Sequence, residues 1–287
     1  MKVLLTGATG FTGSYVLRRL LAEGITPRCL VRASSDVAGL HGVETVVGDL
    51  GDAASLERAF DGVDTLINTA SLGFGHAPAL VKAAERAGVR RAIFISTTSI
   101  FTSLNTTSKS TRIAAEETIQ RSRLEWTILR PTMIYGSPRD RNMIRLIRYV
   151  RRWPVMPVIG DGRHLQQPVY VDDVAAAAVL ALRSEKAIRR AYNIAGAKPL
   201  TFNEVVDTVA RLLGRRMRRI YFPARPIIAT LQRLERHRLR LPIKAEQLQR
   251  LNENKAFPWT DAAKDFGYAP IDFEEGMRRE LQEMAGQ

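Results

Sequence analysis

Thr6-Gly7-Ala8-Thr9-Gly10-Phe11-Thr12-Gly13 is a glycine-rich turn between an apolar strand and an amphipathic helix. The apolar run 2–5 before it predicts a buried strand, and apolar residues recur at helical spacing over 14–23. Glycines at such a junction allow a tight turn, let backbone N–H groups approach a pyrophosphate and let the helix pack on the strand. The positive end of the helix dipole then faces the phosphates. The stretch therefore predicts a dinucleotide-binding turn.

Strands and helices continue to alternate through the first two thirds of the chain. Predicted strands cover 26–31, 43–47, 63–67, 91–95 and 126–129, and predicted helices cover 53–60, 77–87 and 111–122. Repeated βα units predict an α/β fold, a doubly wound parallel sheet of the Rossmann type that binds ligands at the carboxyl ends of its strands. We expect an NAD(P)-binding domain over 1–135 and a smaller C-terminal substrate-binding lobe over 136–287, with segments that return to the main domain. In that lobe, Asp172 or Asp173 is expected to cap an alanine-rich helix.

The composition is that of a globular protein with a basic surface. The 287 residues carry a formal net charge of +14, and most of it is arginine in the runs 139–152, 215–219 and 233–240. We interpret these runs as solvated helix faces; no signature of a specific nucleic-acid module accompanies them, and a peripheral contact with an anionic membrane is the alternative.

The apolar runs and the few cysteine and histidine residues argue against a membrane protein, a secreted protein and a metalloprotein. No apolar run reaches 18 residues, and a strand begins at once, so we expect neither a transmembrane helix nor a signal peptide. The single Cys29 fits a reducing, cytoplasmic location. Four histidines and one cysteine form no cluster with metal-ligand spacing, so we expect no metal.

The spacing Gly7-x-x-Gly10-x-x-Gly13 within TGATGFTG resembles the short-chain dehydrogenase/reductase superfamily, in its extended and atypical branches of NAD-dependent epimerase/dehydratase-like proteins. The segments 160–174 and 265–276 resemble the extended branch as well, so the resemblance spans nearly the whole chain. It implies an NAD(P) cofactor and a small-molecule substrate. In the turn itself, the residues implied to hold the cofactor are Gly7, Thr9, Gly10, Phe11, Thr12 and Gly13.

The end of the second predicted strand favours NADP over NAD. An NAD-preferring site usually has an acid there for the ribose 2′-OH, and this chain has none. Arg32, with Ser34 or Ser35, can instead bind a 2′-phosphate. The resemblance implies further cofactor contacts at later strand ends: Asp49 and Leu50 at the adenine, Asn68, Thr69 and Ala70 beside the ribose, and Ser96, Pro131 and Thr132 toward the nicotinamide.

The catalytic residues implied by the resemblance are only partly present. Thr97 matches the residue that hydrogen-bonds the reacting oxygen, with Ser96 and Thr98 as rivals. The family's acid is a tyrosine with a lysine four residues later, which lowers the pKa of the phenol and holds the ribose.

The segment 105–112 contains no tyrosine in either register. Lys109 as the lysine puts Asn105 at the tyrosine position, whereas anchoring on 114–116 puts Arg112 at the lysine and Ser108 at the tyrosine. We predict that Lys109 is catalytic and holds the ribose. Tyr135 is the one phenol near the predicted site, and we consider it as a distant acid.

Two functional hypotheses follow from these residues. The first is an NADP(H)-dependent oxidoreductase or epimerase/dehydratase-like enzyme with a non-standard active site. The second is a non-catalytic NAD(P)H-binding sensor or assembly protein. Gln166 stands where sugar-nucleotide enzymes of the family carry an arginine, which argues against a nucleotide-sugar substrate. The sequence does not name the substrate or distinguish a monomer from a homodimer.

Overall fold

A computed structural model describes residues 1–104, 107–236 and 245–286. Within these ranges the strands are β1 (Val3–Thr6), β2 (Arg28–Val31), β3 (Thr45–Val47), β4 (Thr65–Asn68), β5 (Arg91–Ile95), β6 (Glu125–Pro131), β7 (Ile134–Tyr135), β8 (Val155–Ile159), β9 (Leu165–Gln166), β10 (Val169–Tyr170), β11 (Arg190–Ile194), β12 (Leu200–Thr201) and β13 (Arg218–Phe222). The helices are α1 (Phe11–Ala22), α2 (Ala53–Phe60), α3 (Ala77–Arg86), α4 (Thr107–Gln120), α5 (Met143–Arg152), α6 (Val171–Arg183), α7 (Phe202–Leu212), α8 (Ala224–Arg236), α9 (Ala245–Leu251), α10 (Thr260–Phe266) and α11 (Phe273–Ala285).

Seven strands form one parallel sheet in the order β11-β6-β5-β4-β1-β2-β3. The predicted doubly wound α/β fold is confirmed. The strand order changes direction between β1 and β4, so the crevice where such sheets bind ligands lies at the carboxyl ends of these two strands.

Both faces of this sheet are covered by apolar layers. Leu4, Leu66 and Phe94 point into the layer formed with α2, α3 and α4. Alternate residues such as Leu5 and Ile67 point into the opposite layer, which includes α1 and α6. Burial on both faces explains why these strands are continuous apolar runs in the sequence.

The chain beyond Tyr135 builds a smaller lobe and also returns to the sheet. Met143, Ile147, Val206 and Met277 pack around Tyr135 in a separate apolar core formed by α5, α7 and α11. In contrast, β11 pairs with β6 of the main sheet, and α6 packs on α1. The lobe is therefore defined by position in space and not by one continuous stretch.

The start of α6 differs from the sequence prediction. Tyr170 stands at the N-cap, and Asp172 and Asp173 lie in the first turn of the helix. Asp172 forms a bidentate pair with Arg19 of α1 at 2.9 and 2.6 Å, and Asp173 accepts a hydrogen bond from the N–H of Ile271 at 3.0 Å. Both carboxylates join separate elements, and neither caps the helix.

Candidate cofactor and active site

A cavity of about 520 Å³ lies at the carboxyl ends of β1 to β4, at the switch point of the sheet. The predicted cofactor residues that line it are Gly7, Thr9, Gly10, Arg32, Asp49, Leu50, Thr69 and Ala70. The predicted residues outside this lining are Phe11, Thr12, Gly13, Asn68, Ser96, Thr97, Lys109, Pro131 and Thr132. The cavity therefore joins the glycine turn to the adenine end of the predicted site.

Each glycine of the turn meets a different steric limit. Gly7 has φ +75°, and a Cβ on it would lie 2.7 Å from Thr69 Oγ1. A Cβ on Gly13 would lie 2.0 Å from the carbonyl oxygen of Gly7, so this glycine permits close contact between α1 and the turn. At Gly10 the added Cβ would meet only Gly7 O at 3.1 Å and would otherwise point into open space. The cavity side of the turn is thus bare backbone at the start of a helix, which suits a phosphate group.

Asn68 shapes the wall of the cavity from behind. Its side chain is fully buried, accepts a hydrogen bond from Thr6 Oγ1 at 2.7 Å and donates to the carbonyl oxygen of Ala70 at 2.9 Å. Thr69 Oγ1 donates to the carbonyl oxygen of Thr6 at 2.7 Å. These bonds fix the loop after β4 against β1, so Asn68 orients the backbone of the cavity wall and does not face the cavity.

The end of β2 and the loop after β3 bring charged groups to the cavity. Arg32 is exposed at its rim beside Ser35. The first acid further along, Asp36, accepts a hydrogen bond from the N–H of Ala38 at 3.0 Å. Asp49 is also exposed, and its Oδ1 accepts from the N–H of Gly51 at 2.8 Å. The cap of α2 is Asp52, so Asp49 is not needed for that role.

Two residues that the sequence analysis missed also line this cavity. Phe74 is exposed at its rim, and the ring of His76 stands beside it. Burial lowers the pKa of His76, although Asp49 acts in the opposite direction, and its Nε2 is buried with no hydrogen-bond partner in the described part of the chain. Loops without a motif supply both residues, so no local signal could have identified them.

The three hydroxyl residues after β5 are used differently. Ser96 Oγ donates to Glu116 at 2.5 Å, and Thr98 Oγ1 donates to the carbonyl oxygen of Pro131 at 3.3 Å. Thr97 Oγ1 accepts from the N–H of Ser99 at 3.1 Å, and among the described residues nothing accepts its proton. Of the three residues, Thr97 is therefore the one whose hydroxyl proton has no acceptor among the described residues.

Glu116, the acceptor of the Ser96 hydroxyl, is the centre of a buried ionic cluster. Arg130 donates to it in a bidentate arrangement, from Nε to Oε1 at 3.1 Å and from Nη2 to Oε2 at 2.6 Å. The two side chains are only 17% and 5% exposed. Arg130 also lies over the ring of Phe101 at 5.3 Å. The cluster ties α4 to the ends of β5 and β6, where the nicotinamide side of the predicted site begins.

The structure assigns different surroundings to the two cations of α4. Lys109 Nζ donates to the carbonyl oxygen of Thr102 at 2.6 Å. The guanidinium of Arg112 packs against Gly73. In the sequence, Gly73 lies between Ser71 and Phe74, which both line the cavity. Burial lowers the pKa of Arg112, and nearby Arg250 adds to this effect. Both registers of the sequence analysis therefore stay open; Asn105 and Thr106 lie outside the described residues.

Tyr135 is a packing residue of the lobe. It is almost fully buried, and its hydroxyl donates to the carbonyl oxygen of Phe273 at 3.3 Å. Burial raises its pKa well above the usual value for tyrosine. The hypothesis that Tyr135 is a distant proton donor is contradicted by this position.

A segment of the lobe crosses to the loop after β5. Glu253 accepts hydrogen bonds from Thr102 Oγ1 at 2.6 Å and from the N–H of Ser103 at 2.9 Å. Burial acts to raise the pKa of Glu253, but these hydrogen bonds outweigh it and hold the pKa below its usual value. The ring of Phe257 lies 5.7 Å from that of Phe101. These contacts join the segment 253–257 to the loop that follows β5.

Lys255 lies in the same crossing segment. Its ammonium donates to the carbonyl oxygen of Arg250 at 2.5 Å and lies 3.5 Å from the side-chain oxygen of the buried Gln166. Burial lowers the pKa of Lys255, and Glu253 acts against this shift. A lysine and an amide thus lie together at the position where the resemblance implies an arginine in nucleotide-sugar enzymes.

The described residues form neither a metal-binding cluster nor a helix that could span a membrane. Within 1–104, 107–236 and 245–286, no group of three or more His, Cys, Asp or Glu residues is arranged to hold a metal ion. Across the same ranges, no helix combines the length and apolar character needed to cross a membrane.

The chain belongs to the NAD(P)H-binding family, whose model matches residues 7–185. It is similar to a ceramide reductase of Caulobacter vibrioides, with 30% identity over 239 residues that cover 77% of this chain and 73% of the relative. It is also similar to a 2-alkyl-3-oxoalkanoate reductase of Stenotrophomonas maltophilia, with 26% identity over 97% of this chain and 98% of the relative. The fold matches the UDP-glucose 4-epimerase of Thermotoga maritima, with a TM-score of 0.77 and 20% identity over 100% of this chain and 99% of that one.

These findings confirm the resemblance to the extended short-chain dehydrogenase/reductase branch. The chain is an NAD(P)H-binding protein, and its relatives in sequence include reductases.

Proposed function

We propose that this protein is an NADPH-dependent oxidoreductase that reduces a carbonyl group on a small, largely apolar substrate. The observation that carries the choice of NADPH is Arg32 at the rim of the cavity, with Ser35 beside it and no acid at the end of β2. A guanidinium matches a 2′-phosphate in geometry and charge, whereas a 2′-hydroxyl favours an acidic partner.

The roles of the other residues follow from their positions. The bare backbone at Gly10 receives the pyrophosphate, and Asp49 faces the adenine side of the cavity. The hydride for such a reduction would come from a reduced nicotinamide bound at this site. Thr97 donates a hydrogen bond from its hydroxyl to the carbonyl oxygen as negative charge develops there, which is the usual task of a positioned donor. Arg112 or Lys109 holds the adjoining ribose.

Water is the proposed source of the final proton. α4 has no tyrosine in either register, and Tyr135 is buried in the lobe. Thr97 is too weak an acid to give up its proton without recovering one. A water molecule therefore protonates the alkoxide, either directly or through the Thr97 hydroxyl.

An apolar substrate fits both the relatives and the site. Ceramide and 2-alkyl-3-oxoalkanoates, named for the two relatives, are mostly hydrocarbon. In this chain the aromatic pair of Phe101 and Phe257 adjoins the loop that follows Thr97. Gln166 stands in place of the arginine that a nucleotide sugar would need. We therefore propose a long-chain or ring-shaped ketone as the substrate class.

Calorimetric titration with NADPH and NADH tests the cofactor proposal. Arg32→Ala should weaken NADPH at least about tenfold, since a charged hydrogen bond contributes roughly 1.5–3 kcal/mol, and should leave NADH nearly unchanged. Arg86→Ala, an exposed arginine on α3, is the matched control. Equal weakening of both nucleotides by Arg32→Ala contradicts the proposal.

A panel of ketones with NADPH tests the activity. Thr97→Val should lower kcat by about 10²-fold or more if Thr97 is the donor to the reacting oxygen, the range for loss of one such donor. Arg112→Met should raise the NADPH dissociation constant more than Lys109→Met if Arg112 holds the ribose. Tight NADPH binding without oxidation of NADPH by any ketone or enone would favour the non-catalytic sensor, which the missing tyrosine keeps as the second candidate.

A further inference from the structure

Two arginine runs that are distant in the sequence form one surface of the lobe. Arg151 and Arg152 end α5. Arg215 Nη2 donates to the carbonyl oxygen of Arg151 at 2.9 Å, across 64 positions of the chain. The N–H of Arg218 donates to the carbonyl oxygen of Pro154 at 2.9 Å, where β13 starts to pair with β8. The end of α5 and the start of β13 are thereby neighbours.

The segments that form this surface are rich in arginine and poor in acids, although Asp207 pairs with Arg219 and Asp161 lines a cavity with Tyr221 and Phe222. No Asp or Glu occurs from 141 to 160 or from 208 to 234. In the lobe as far as the structure describes it, the ion pairs of these runs are Arg211 with Glu274 and Arg219 with Asp207. Exposed arginines of these runs for which no ion pair is described include Arg148, Arg151, Arg152, Arg215, Arg216 and Arg218.

Large apolar side chains are exposed among these arginines. Trp153 is 51% exposed, and Ile220, Tyr221 and Phe222 of β13 are 50, 50 and 40% exposed. The guanidinium of Arg152 lies 5.6 Å from the centre of the Trp153 ring. Exposed aromatic and aliphatic residues grouped in this way mark interaction sites on proteins that are otherwise polar outside.

We propose that this surface, the basic aromatic face, docks the protein onto an anionic lipid bilayer. The arginines contact lipid phosphates, while Trp153 and Tyr221 lie at the level of the headgroups, the depth that such rings prefer. A nucleic acid would also attract the arginines, but it offers no apolar layer for Ile220 and Phe222. A bilayer uses both features, and this is why we choose it over a nucleic acid.

Sedimentation with lipid vesicles tests the proposal on the full chain. Wild-type protein should bind vesicles of phosphatidylcholine with about a third phosphatidylglycerol and should not bind phosphatidylcholine alone. High salt should release the bound protein because it screens the attraction between the arginines and the lipid phosphates. The variant Arg148→Gln/Arg152→Gln/Arg216→Gln should lower the lipid partition coefficient at least tenfold. The control Arg86→Gln/Arg121→Gln/Arg123→Gln removes the same charge from exposed sites outside the lobe and should bind as wild type.

Tryptophan fluorescence tests the depth of contact separately. Trp153 is much more exposed than the buried Trp126, so its emission should shift to the blue on anionic vesicles, and Trp153→Phe should remove the shift. Thermal melting and NADPH titration of every variant establish that it is folded. Three outcomes would each overturn the proposal. The control triple variant could lose vesicle binding as much as the test variant, or the blue shift could survive Trp153→Phe. The protein could also bind single- or double-stranded DNA without binding vesicles.

Discussion

Gly10 and Gly13 lie in the same turn, yet alanine at these two positions should damage different properties. The backbone of Gly10 is extended, at φ −77° and ψ 169°, so alanine adopts it without strain. Its Cβ meets only Gly7 O, at 3.1 Å, and then faces the cavity. The Cβ of Gly13→Ala overlaps backbone, at 2.0 Å from Gly7 O and 2.6 Å from Gly7 C. Gly10→Ala should therefore impair cofactor binding, and Gly13→Ala should impair folding.

The magnitudes follow from these contacts. Relieving the overlap at Gly13 requires α1 to move away from β1, and overpacking of this kind costs about 3 kcal/mol. That corresponds to a fall in Tm of roughly 6–12 °C for a domain of this size. Gly10→Ala should leave the Tm within about 2 °C but remove a charged hydrogen bond to the pyrophosphate, roughly 1.5–3 kcal/mol. The NADPH dissociation constant should then rise about 10- to 150-fold.

Thermal melting by circular dichroism and calorimetric titration with NADPH measure the two effects separately. Gly39→Ala is the control, since a Cβ there meets nothing within 4 Å. The reasoning is refuted if Gly10→Ala binds NADPH as wild type does, or if it lowers the Tm as far as Gly13→Ala.

Three further predictions concern buried groups. Glu116→Ala leaves Arg130 buried without its carboxylate and should lower the free energy of unfolding by about 3–5 kcal/mol in urea titrations, while Ser96→Ala should cost far less. Burial raises the pKa of Glu280 from 4.5 to about 9, with help from Asp140, so the folded state keeps this proton longer and stability falls as the pH rises between these values. Glu280→Gln should therefore raise the Tm at pH 8 and have little effect at pH 4; an equal effect at both would contradict the shift. Burial also raises the pKa of Cys29 to about 12. A disulfide reagent should therefore modify this thiol only after unfolding. Rapid reaction of the native protein would show that the Cys29 thiol is accessible.

Much of the fold was predictable because buried parallel strands and amphipathic helices leave local patterns. α2 and β5 have the predicted bounds, and the glycine turn has its predicted place after β1. β11 was not predicted, since Arg190, Tyr192 and Asn193 break the apolar pattern of an interior strand. This edge strand is instead held by tertiary contacts, including a hydrogen bond of 2.7 Å from the Tyr192 hydroxyl to Asp265.

The candidate site was predictable where one motif supplies it and not where distant loops meet. Gly7, Gly10 and Arg32 lie on consecutive elements, so order along the chain placed them together. His76 and Lys255 come from segments that carry no motif of their own. Tyr135 was linked to the site by its closeness in sequence to β6, but its ring turns into the lobe, because that core needs a large apolar group opposite Gly276. The direction in which a loop side chain points depends on tertiary packing, and the spacing of residues in the sequence does not reveal it.

The contacts of Tyr15 have a consequence for how the chain acquires its structure. Its hydroxyl reaches the carbonyl oxygen of Gly136 at 3.3 Å and Glu283 of α11 at 3.0 Å, across 121 and 268 positions. Contacts of such separation carry a large loop-closure entropy and slow the folding of the segments that make them. Docking of α11 therefore adds a non-local tie to the helix that begins at the glycine turn. A dinucleotide that stabilises this turn should in return slow the detachment of α11, which unfolding rates with and without NADPH would measure.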